Sequence, residues 1–156
     1  MMSQHLPPIE TLLPHRGTML LLDAVTAWDA ESATASASVH ADGWYAADNG
    51  AMPSWFGIEL MAQTIAAHVG LSARSRGQLP KQGILLGTRA YQATMSHFPP
   101  GTLLIVKTSL IFRDASGLGA YKCVITRHEE PVANAIIKVY EPDDFYAFLT
   151  QASIPS

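Results

Sequence analysis

Apolar and polar residues change their spacing along the chain, and the changes predict strands, then one helix, then strands again. Residues 32–40 alternate small apolar residues with hydroxyl residues, the period-two pattern of a half-exposed strand. Residues 54–71 are apolar nearly all round, which predicts a buried helix with Ser54 as its N-cap and Gly70 near its end. Residues 19–25 form a shorter β-like run, and residues 9–13 suggest one helical turn.

From Gly83 onward the pattern is that of strands separated by short turns, which favours antiparallel neighbours. The predicted order is two strands, one helix and four strands. This order predicts an α+β fold in which one long buried helix is wrapped by a five- to six-stranded antiparallel sheet. This order is that of the hotdog fold, and we expect residues 1–156 to form a single domain of this kind. The four later strands are predicted at residues 84–93, 102–114, 119–128 and 131–141.

Composition narrows the function classes. The chain has 156 residues, 48% of them hydrophobic and 15% charged, with a formal net charge of −3 and one cysteine. The net negative charge argues against nucleic-acid binding, for which a basic domain is expected. A single cysteine excludes a disulfide framework or a cysteine-rich metal site. The first residues lack the basic and apolar regions of a signal peptide, and no apolar run approaches the roughly 18 residues of a membrane span, so we expect a soluble cytoplasmic protein. A chain with this many apolar residues is expected to bury apolar surface in an oligomer or to line a tunnel for an apolar substrate.

Glu59 is the most informative residue for chemistry. It lies in the second turn of the predicted helix among apolar residues, and Gln63 follows one turn later on the same face. A carboxyl in an apolar pocket either shifts its pKa upward or finds donors, and it can then transfer protons near neutral pH. The alternative is a glutamate that points to solvent through a gap or bonds to a neighbouring loop. Periodicity alone leaves both interpretations open.

Two segments resemble the 3-hydroxyacyl-acyl carrier protein dehydratases of fatty acid synthesis. Residues 13–16 (LPHR) with residues 20–23 (LLLD) are similar to their LPHR…LLxD signature, and residues 52–63 (MPSWFGIELMAQ) are similar to their FPG…EAMAQ signature. The Trp-Phe-Gly-Ile-Glu sequence at 55–59 most resembles the dehydratase-like proteins of aryl polyene biosynthesis. In the second half of the chain, only the strand pattern and Pro100-Gly101 are similar to the family.

The resemblance implies a hotdog dimer that removes water from a 3-hydroxyacyl thioester and leaves a trans-2-enoyl thioester. Glu59 corresponds to the catalytic glutamate, which in the family works with a histidine of the partner chain. The spacing of Gln63 places it where it can orient either this carboxylate or the substrate. Backbone N–H groups of Ser54, Trp55 and Phe56 are the expected oxyanion donors, since a helix N-terminus favours negative charge. The resemblance implies no metal or redox cofactor. It also implies a substrate carried on the phosphopantetheine of acyl carrier protein.

The sequence departs from the family where the catalytic histidine is expected. The loop at residues 44–51 is about two residues shorter than the family's GHFPG-like loop, and Asp48 falls at the histidine position if Trp44-Tyr45 sets the register. Either His40 reaches the site, or Asp48 acts beside Glu59, or the protein has lost the reaction. A hotdog thioesterase and a non-catalytic hotdog subunit supporting an active dehydratase partner are therefore the alternative functions.

Other candidate residues are weaker. His68 is nine residues from Glu59 and so falls on the opposite helix face, where a core or interface histidine is expected. None of the six histidines has metal-ligand spacing. The basic segment after the helix is either a solvated loop or a docking patch for an acidic acyl carrier protein. Its cations are Arg74, Arg76 and Lys81.

Overall fold

In the computed structural model, residues 6–13, 19–78 and 83–141 are described. One helix packs against one face of a six-stranded antiparallel sheet. A separate two-stranded ladder is formed by one short strand before the helix and one after it. The elements are β1 (Ala24–Trp28), β2 (Ser32–Ser38), β3 (Met52–Pro53), α1 (Phe56–Ser75), β4 (Ile84–Ala93), β5 (His97–Phe98), β6 (Leu103–Arg113), β7 (Leu118–Arg127) and β8 (Glu130–Tyr140).

The sheet order is β1-β2-β6-β7-β8-β4. Tight turns join β6, β7 and β8 into a meander, and β2 and β4 lie on opposite sides of it. Because α1 lies between β2 and β4 in the chain, it has to cross the sheet, and this crossing buries its apolar surface. The strands predicted from the sequence after residue 83 agree with β4, β6, β7 and β8 to within one residue at each end.

Strand β2 shows how the period-two pattern becomes packing. Its buried positions Ala33, Ala35 and Ala37 are at most 1% exposed, and they alternate with half-exposed serine and threonine. Methyl groups at these positions leave room for α1, which packs closely over β2 and β6. The strand lies within the predicted segment.

The helix begins and ends later than the sequence predicts. Trp55, not Ser54, is the N-cap, and the Ser54 carbonyl accepts a hydrogen bond from Gly57 N–H at 2.9 Å. Gly70 does not end the helix. A Cβ there would lie 3.3 Å from the Leu12 carbonyl oxygen, so this glycine allows close packing of the N-terminal turn, a short 3₁₀ helix at Ile9–Thr11. The helix instead ends at Ser75, before Gly77 adopts a positive φ of 66°.

The predicted strand at residues 19–25 is wrong for most of its length, because the ladder starts only at Ala24. The buried Gln63 side chain binds the backbone there instead: Leu21 N–H donates to Gln63 Oε1 at 3.0 Å, and Gln63 Nε2 donates to the Met19 carbonyl at 2.8 Å. A side chain of the helix thus satisfies backbone groups that a neighbouring strand would otherwise pair.

No helix within the described residues has the length and apolar character that crossing a membrane requires.

Candidate functional site

The candidate site lies at the first turns of α1, where a carboxylate occurs together with backbone N–H groups that have no acceptor among the described residues. Glu59 is half-buried, and Gln63 is 0% exposed. Gln63 Nε2 donates to Glu59 Oε1 at 3.0 Å, while its other contacts hold residues 19–21 against the helix. The i+4 spacing expected from the sequence therefore gives a direct contact, and the glutamine is fixed from three directions.

At the start of α1, two of the three expected N–H groups have no recorded acceptor within the described residues. Ser54 N–H donates to the Ser96 carbonyl at 2.9 Å, so it is not free to stabilise an oxyanion, and this part of the expectation is corrected. Among the described residues no acceptor is recorded for the N–H groups of Trp55 and Phe56. The missing contact is not visible in the sequence because it depends on the short β3–β5 ladder, whose partners are Met52 with Phe98 and Pro53 with His97.

Aromatic side chains surround these donors. The Phe56 ring lies 5.3 Å from the Trp44 ring, 5.8 Å from the Tyr45 ring and 6.0 Å from the Trp55 ring, measured between centroids. Trp44 is 53% exposed and Trp55 is 63% exposed, whereas Tyr45 is buried. Edge and stacked contacts of this kind are favourable, so the cluster stabilises the loop against the helix start.

His40 and Asp48 lie on the loop between β2 and β3. His40 is exposed, and its backbone N–H donates to the Tyr45 hydroxyl at 2.9 Å. Asp48 is exposed in a turn closed by a hydrogen bond from Gly50 N–H to the Ala47 carbonyl. Within the described ranges, no hydrogen bond or ion pair joins either side chain to Glu59. Residues 14–18, including His15 and Arg16 of the LPHR segment, lie outside the described residues.

Tyr91 belongs to this site and was not predicted. Its hydroxyl donates to the Ser54 carbonyl, and the ring lies over the first turn of α1. Burial raises the pKa of Tyr91 above its usual value, so the hydroxyl stays protonated as a donor. A Cβ on Gly57 would overlap this hydroxyl, which explains a glycine in the first helical turn.

His68 occupies the opposite side of α1, as its spacing predicts, in a buried polar chain. Its Nε2 lies 3.2 Å from the carbonyls of Asp29 and Ala30, and its Nδ1 lies 2.9 Å from the Tyr121 hydroxyl. Nε2 must therefore donate to the carbonyls, and Nδ1 accepts from Tyr121, whose oxygen in turn accepts from Arg113 at 2.8 Å. Burial lowers the pKa of His68, and it raises the pKa of Tyr121 to about 12. A neutral His68 therefore has hydrogen-bond partners at both ring nitrogens, and this hydrogen-bonded row has a structural role.

The cations expected to dock a partner lie at the other end of the helix. Arg74 and Arg76 are exposed, and Arg74 contacts the Thr11 hydroxyl at 3.4 Å. Lys81 lies outside the described residues. Across the described part of the chain, no three histidine, cysteine, aspartate or glutamate side chains are grouped so as to hold a metal ion.

Comparisons with known proteins give the context of this geometry. A family model described as ApeP-like, ApeP dehydratase, matches residues 7–150. The dehydratase heterocomplex ApeI:P from Xenorhabdus doucetiae contains a chain with 25% identity and a TM-score of 0.88, the match covering 96% of this chain and 100% of that one. A search of curated proteins finds no match.

More distant structures share the fold alone. A hypothetical thioesterase with coenzyme A from Streptococcus pneumoniae TIGR4 is 14% identical with a TM-score of 0.58, the match covering 76% of this chain and 86% of that one. The E. coli PaaI protein from the phenylacetic acid degradation operon is 12% identical with a TM-score of 0.60, over 76% of this chain and 78% of that one. The hotdog fold predicted from the sequence is confirmed by the observed sheet order and by these matches.

Proposed function

The chain belongs to the ApeP-like dehydratase family, and from this premise we propose that it acts in removing water from 3-hydroxyacyl thioesters carried by acyl carrier protein. The single observation that carries the proposal is the presence, on the first turns of α1, of both the Glu59 carboxylate and the N–H groups of Trp55 and Phe56, which have no recorded acceptor within the described residues. A carboxylate that moves protons and donors that stabilise an enolate oxygen are the two elements this elimination needs.

The elimination divides between these groups in a simple way. The thioester carbonyl accepts hydrogen bonds from Trp55 and Phe56, which stabilise the negative charge that develops when the proton on C2 leaves. One proton-transfer group takes that proton, and another protonates the hydroxyl leaving C3, so that water departs and a C2=C3 double bond forms. Glu59 is one of the two groups, and Gln63 keeps its carboxylate oriented. These steps need no metal or redox cofactor.

The second proton-transfer group is the open part of the proposal. His40 and Asp48 remain its candidates within this chain, and a second hotdog subunit is the other source. The similar structure from Xenorhabdus doucetiae is described as a heterocomplex, which supports assembly of this chain with another hotdog protein. Strand β4 suits such assembly, since it forms an edge of the sheet with Leu85 and Leu86 exposed by 44% and 51%.

Turnover of a 3-hydroxyacyl carrier protein, followed by mass spectrometry, tests the reaction. The purified chain and the chain mixed with a hotdog partner subunit are compared, each as wild type and as Glu59→Gln. We expect loss of enoyl product in Glu59→Gln and unchanged turnover in Glu31→Gln, an exposed glutamate in the β1–β2 turn. Full activity of Glu59→Gln would contradict the role of this residue.

Variants of the loop assign the second group. If His40→Ala or Asp48→Asn abolishes turnover by the chain alone, that residue supplies the second proton transfer. If neither variant lowers a turnover that requires the partner, the partner supplies it. If only the partner's own activity is present and Glu59→Gln leaves it intact, the chain is a non-catalytic supporting subunit.

A thioesterase is the second candidate, because a single carboxylate beside an oxyanion site can also activate water. The observation that favours it is that Glu59 lies on the same first turns of α1 as the Trp55 and Phe56 N–H groups, for which no acceptor is recorded within the described residues. Product analysis separates the two reactions. Release of a free acid and a free thiol without an enoyl intermediate would identify hydrolysis instead of elimination.

Docking of the carrier is proposed at Arg74 and Arg76, with Lys81 beyond the described residues. Arg74 lies about 22 Å from Glu59 along the helix axis at about 1.5 Å per residue, so a docked carrier has to extend its prosthetic arm along the helix. We expect Arg74→Glu/Arg76→Glu to weaken carrier binding at low salt by about tenfold. Lys107→Glu/Lys122→Glu, which reverses two exposed cations on the outer face of the sheet, is the matched control. Equal weakening by both variants would refute a specific patch.

A further inference from the structure

Tyr91 reaches the start of α1 because β4 is irregular at that point. The β4–β8 register shifts between Arg89 and Gln92, and Ala90 has a φ of 53°, a left-handed conformation that is unfavourable for alanine. An extra residue in one strand bends it and turns a side chain in a new direction. Strained backbone of this kind is retained where the surrounding structure holds it, and such positions cluster at functional sites. We infer that the irregularity serves to direct the Tyr91 side chain toward the start of α1.

The Tyr91 hydroxyl binds one particular peptide group. Its acceptor, the Ser54 carbonyl, also accepts the Gly57 N–H at 2.9 Å. That carbonyl and the N–H of Trp55 are the two ends of the same peptide unit. Hydrogen bonds accepted at the oxygen of a peptide draw electron density toward it, which makes the N–H of that peptide a stronger donor. Within the described residues this N–H has no acceptor of its own.

We propose that Tyr91 is a positioning residue that polarises the Ser54–Trp55 peptide and so strengthens the Trp55 N–H as an oxyanion donor. Two contacts hold this peptide at its oxygen, since the Ser54 carbonyl accepts both the Tyr91 hydroxyl and the Gly57 N–H. A third contact, from Ser54 N–H to the Ser96 carbonyl, fixes the preceding Pro53–Ser54 peptide. A donor held this firmly needs little reorganisation when charge develops on a bound carbonyl oxygen. The effect on catalysis rests on the proposed function, but the polarisation of the peptide does not.

The size of the effect follows from what an oxyanion donor contributes. Loss of a direct donor lowers kcat by about 10²- to 10³-fold, and one further hydrogen bond strengthens a donor by about 10–30%, which gives an expected loss of about two- to eightfold for Tyr91→Phe. The loss should fall on kcat, with KM changed by less than about twofold, because an oxyanion donor acts mainly when charge develops. Phenylalanine keeps the ring over the helix and removes only the hydroxyl.

The experiment compares the wild type with Tyr91→Phe and with Tyr140→Phe, a half-buried tyrosine of β8 that pairs with Ile84 at the far end of β4. Nuclear magnetic resonance measures the Ser54 carbonyl ¹³C and the Trp55 amide ¹⁵N shifts, and steady-state kinetics measures kcat and KM. We expect both resonances to move upfield in Tyr91→Phe alone, together with the selective fall in kcat. A folded Tyr91→Phe with both shifts unchanged would overturn the polarisation.

The two proposals fail in different ways. If the wild type, alone and with a hotdog partner, forms no enoyl product, the proposed function fails while the two chemical shifts still decide the polarisation. If an active Tyr91→Phe shows the shifts but no change in kcat, the catalytic role of Tyr91 is refuted. If kcat and the unfolding midpoint fall with no change in shifts, Tyr91 has a purely structural role and the proposal is wrong.

Discussion

Gln63 offers the sharpest test of how the helix holds the site, because one buried side chain joins α1 to the segment before β1 and to Glu59. The perturbation is Gln63→Leu, which keeps a similar volume and removes all hydrogen bonding. Leucine leaves Leu21 N–H and the Met19 carbonyl without the partners that Gln63 gives them at 3.0 Å and 2.8 Å. It also removes the contact with Glu59 at 3.0 Å.

The magnitude can be worked from these contacts. An orphaned polar group costs about 1–3 kcal/mol, and Met19 is 57% exposed, so water can replace part of what its carbonyl loses. Burial of the leucine side chain offsets a further part. We therefore expect Gln63→Leu to lower the free energy of unfolding by about 2–3 kcal/mol. For a chain of this length, that corresponds to a fall in Tm of about 4–12 °C.

Urea unfolding followed by circular dichroism measures this loss, and the matched control is Gln92→Leu at an exposed position of β4. The control should change the free energy of unfolding by less than about 0.5 kcal/mol. A loss below about 1 kcal/mol in Gln63→Leu, or one equal to that of the control, would refute the idea that these hydrogen bonds anchor the segment before β1.

Three further predictions follow from buried groups. Gly57→Ala brings a Cβ into overlap with the Tyr91 hydroxyl, and it should cost about 1–3 kcal/mol in urea unfolding, whereas Gly87→Ala, where a Cβ meets nothing within 4 Å, should be close to neutral. Because burial lowers the pKa of His68, the unfolded state binds more protons than the folded state below about pH 6.5. The free energy of unfolding should therefore fall as the pH drops below that value. A His68 ring that titrates normally by nuclear magnetic resonance would contradict this. Burial raises the pKa of Cys123 to about 12, so its reaction with a thiol reagent at pH 8 should proceed only at the rate of global unfolding, and fast labelling of the native protein would contradict that.

The elements that the sequence predicts well are those whose pattern reflects burial. The alternation of alanine and hydroxyl residues predicts strand β2, and the continuous apolar run predicts helix α1. Element ends are less predictable because glycine has several uses. Gly70 has the position expected of a helix end, yet the helix continues past it, and the Leu12 carbonyl oxygen packs 3.3 Å from the place of a Cβ.

The candidate site divides in the same way. The contact between Glu59 and Gln63 follows from helical spacing alone, so it could be predicted. Tyr91 could not be predicted, because its direction depends on the irregularity at Ala90 and on the β4–β8 register, neither of which has a local sequence signal. The loss of Ser54 N–H as a donor depends on Ser96, a residue 42 positions away in the chain. Tertiary pairing decides these features.

The loop that carries His40 and Asp48 limits how this chain can complete the site. Tyr45 is 9% exposed, and it holds the loop by accepting the His40 backbone N–H and by packing against Phe56. The side chains of His40 and Asp48 are both exposed on this anchored loop. We therefore propose a complex in which this chain supplies the carboxylate and the oxyanion donors, and a second hotdog chain supplies the other proton-transfer group.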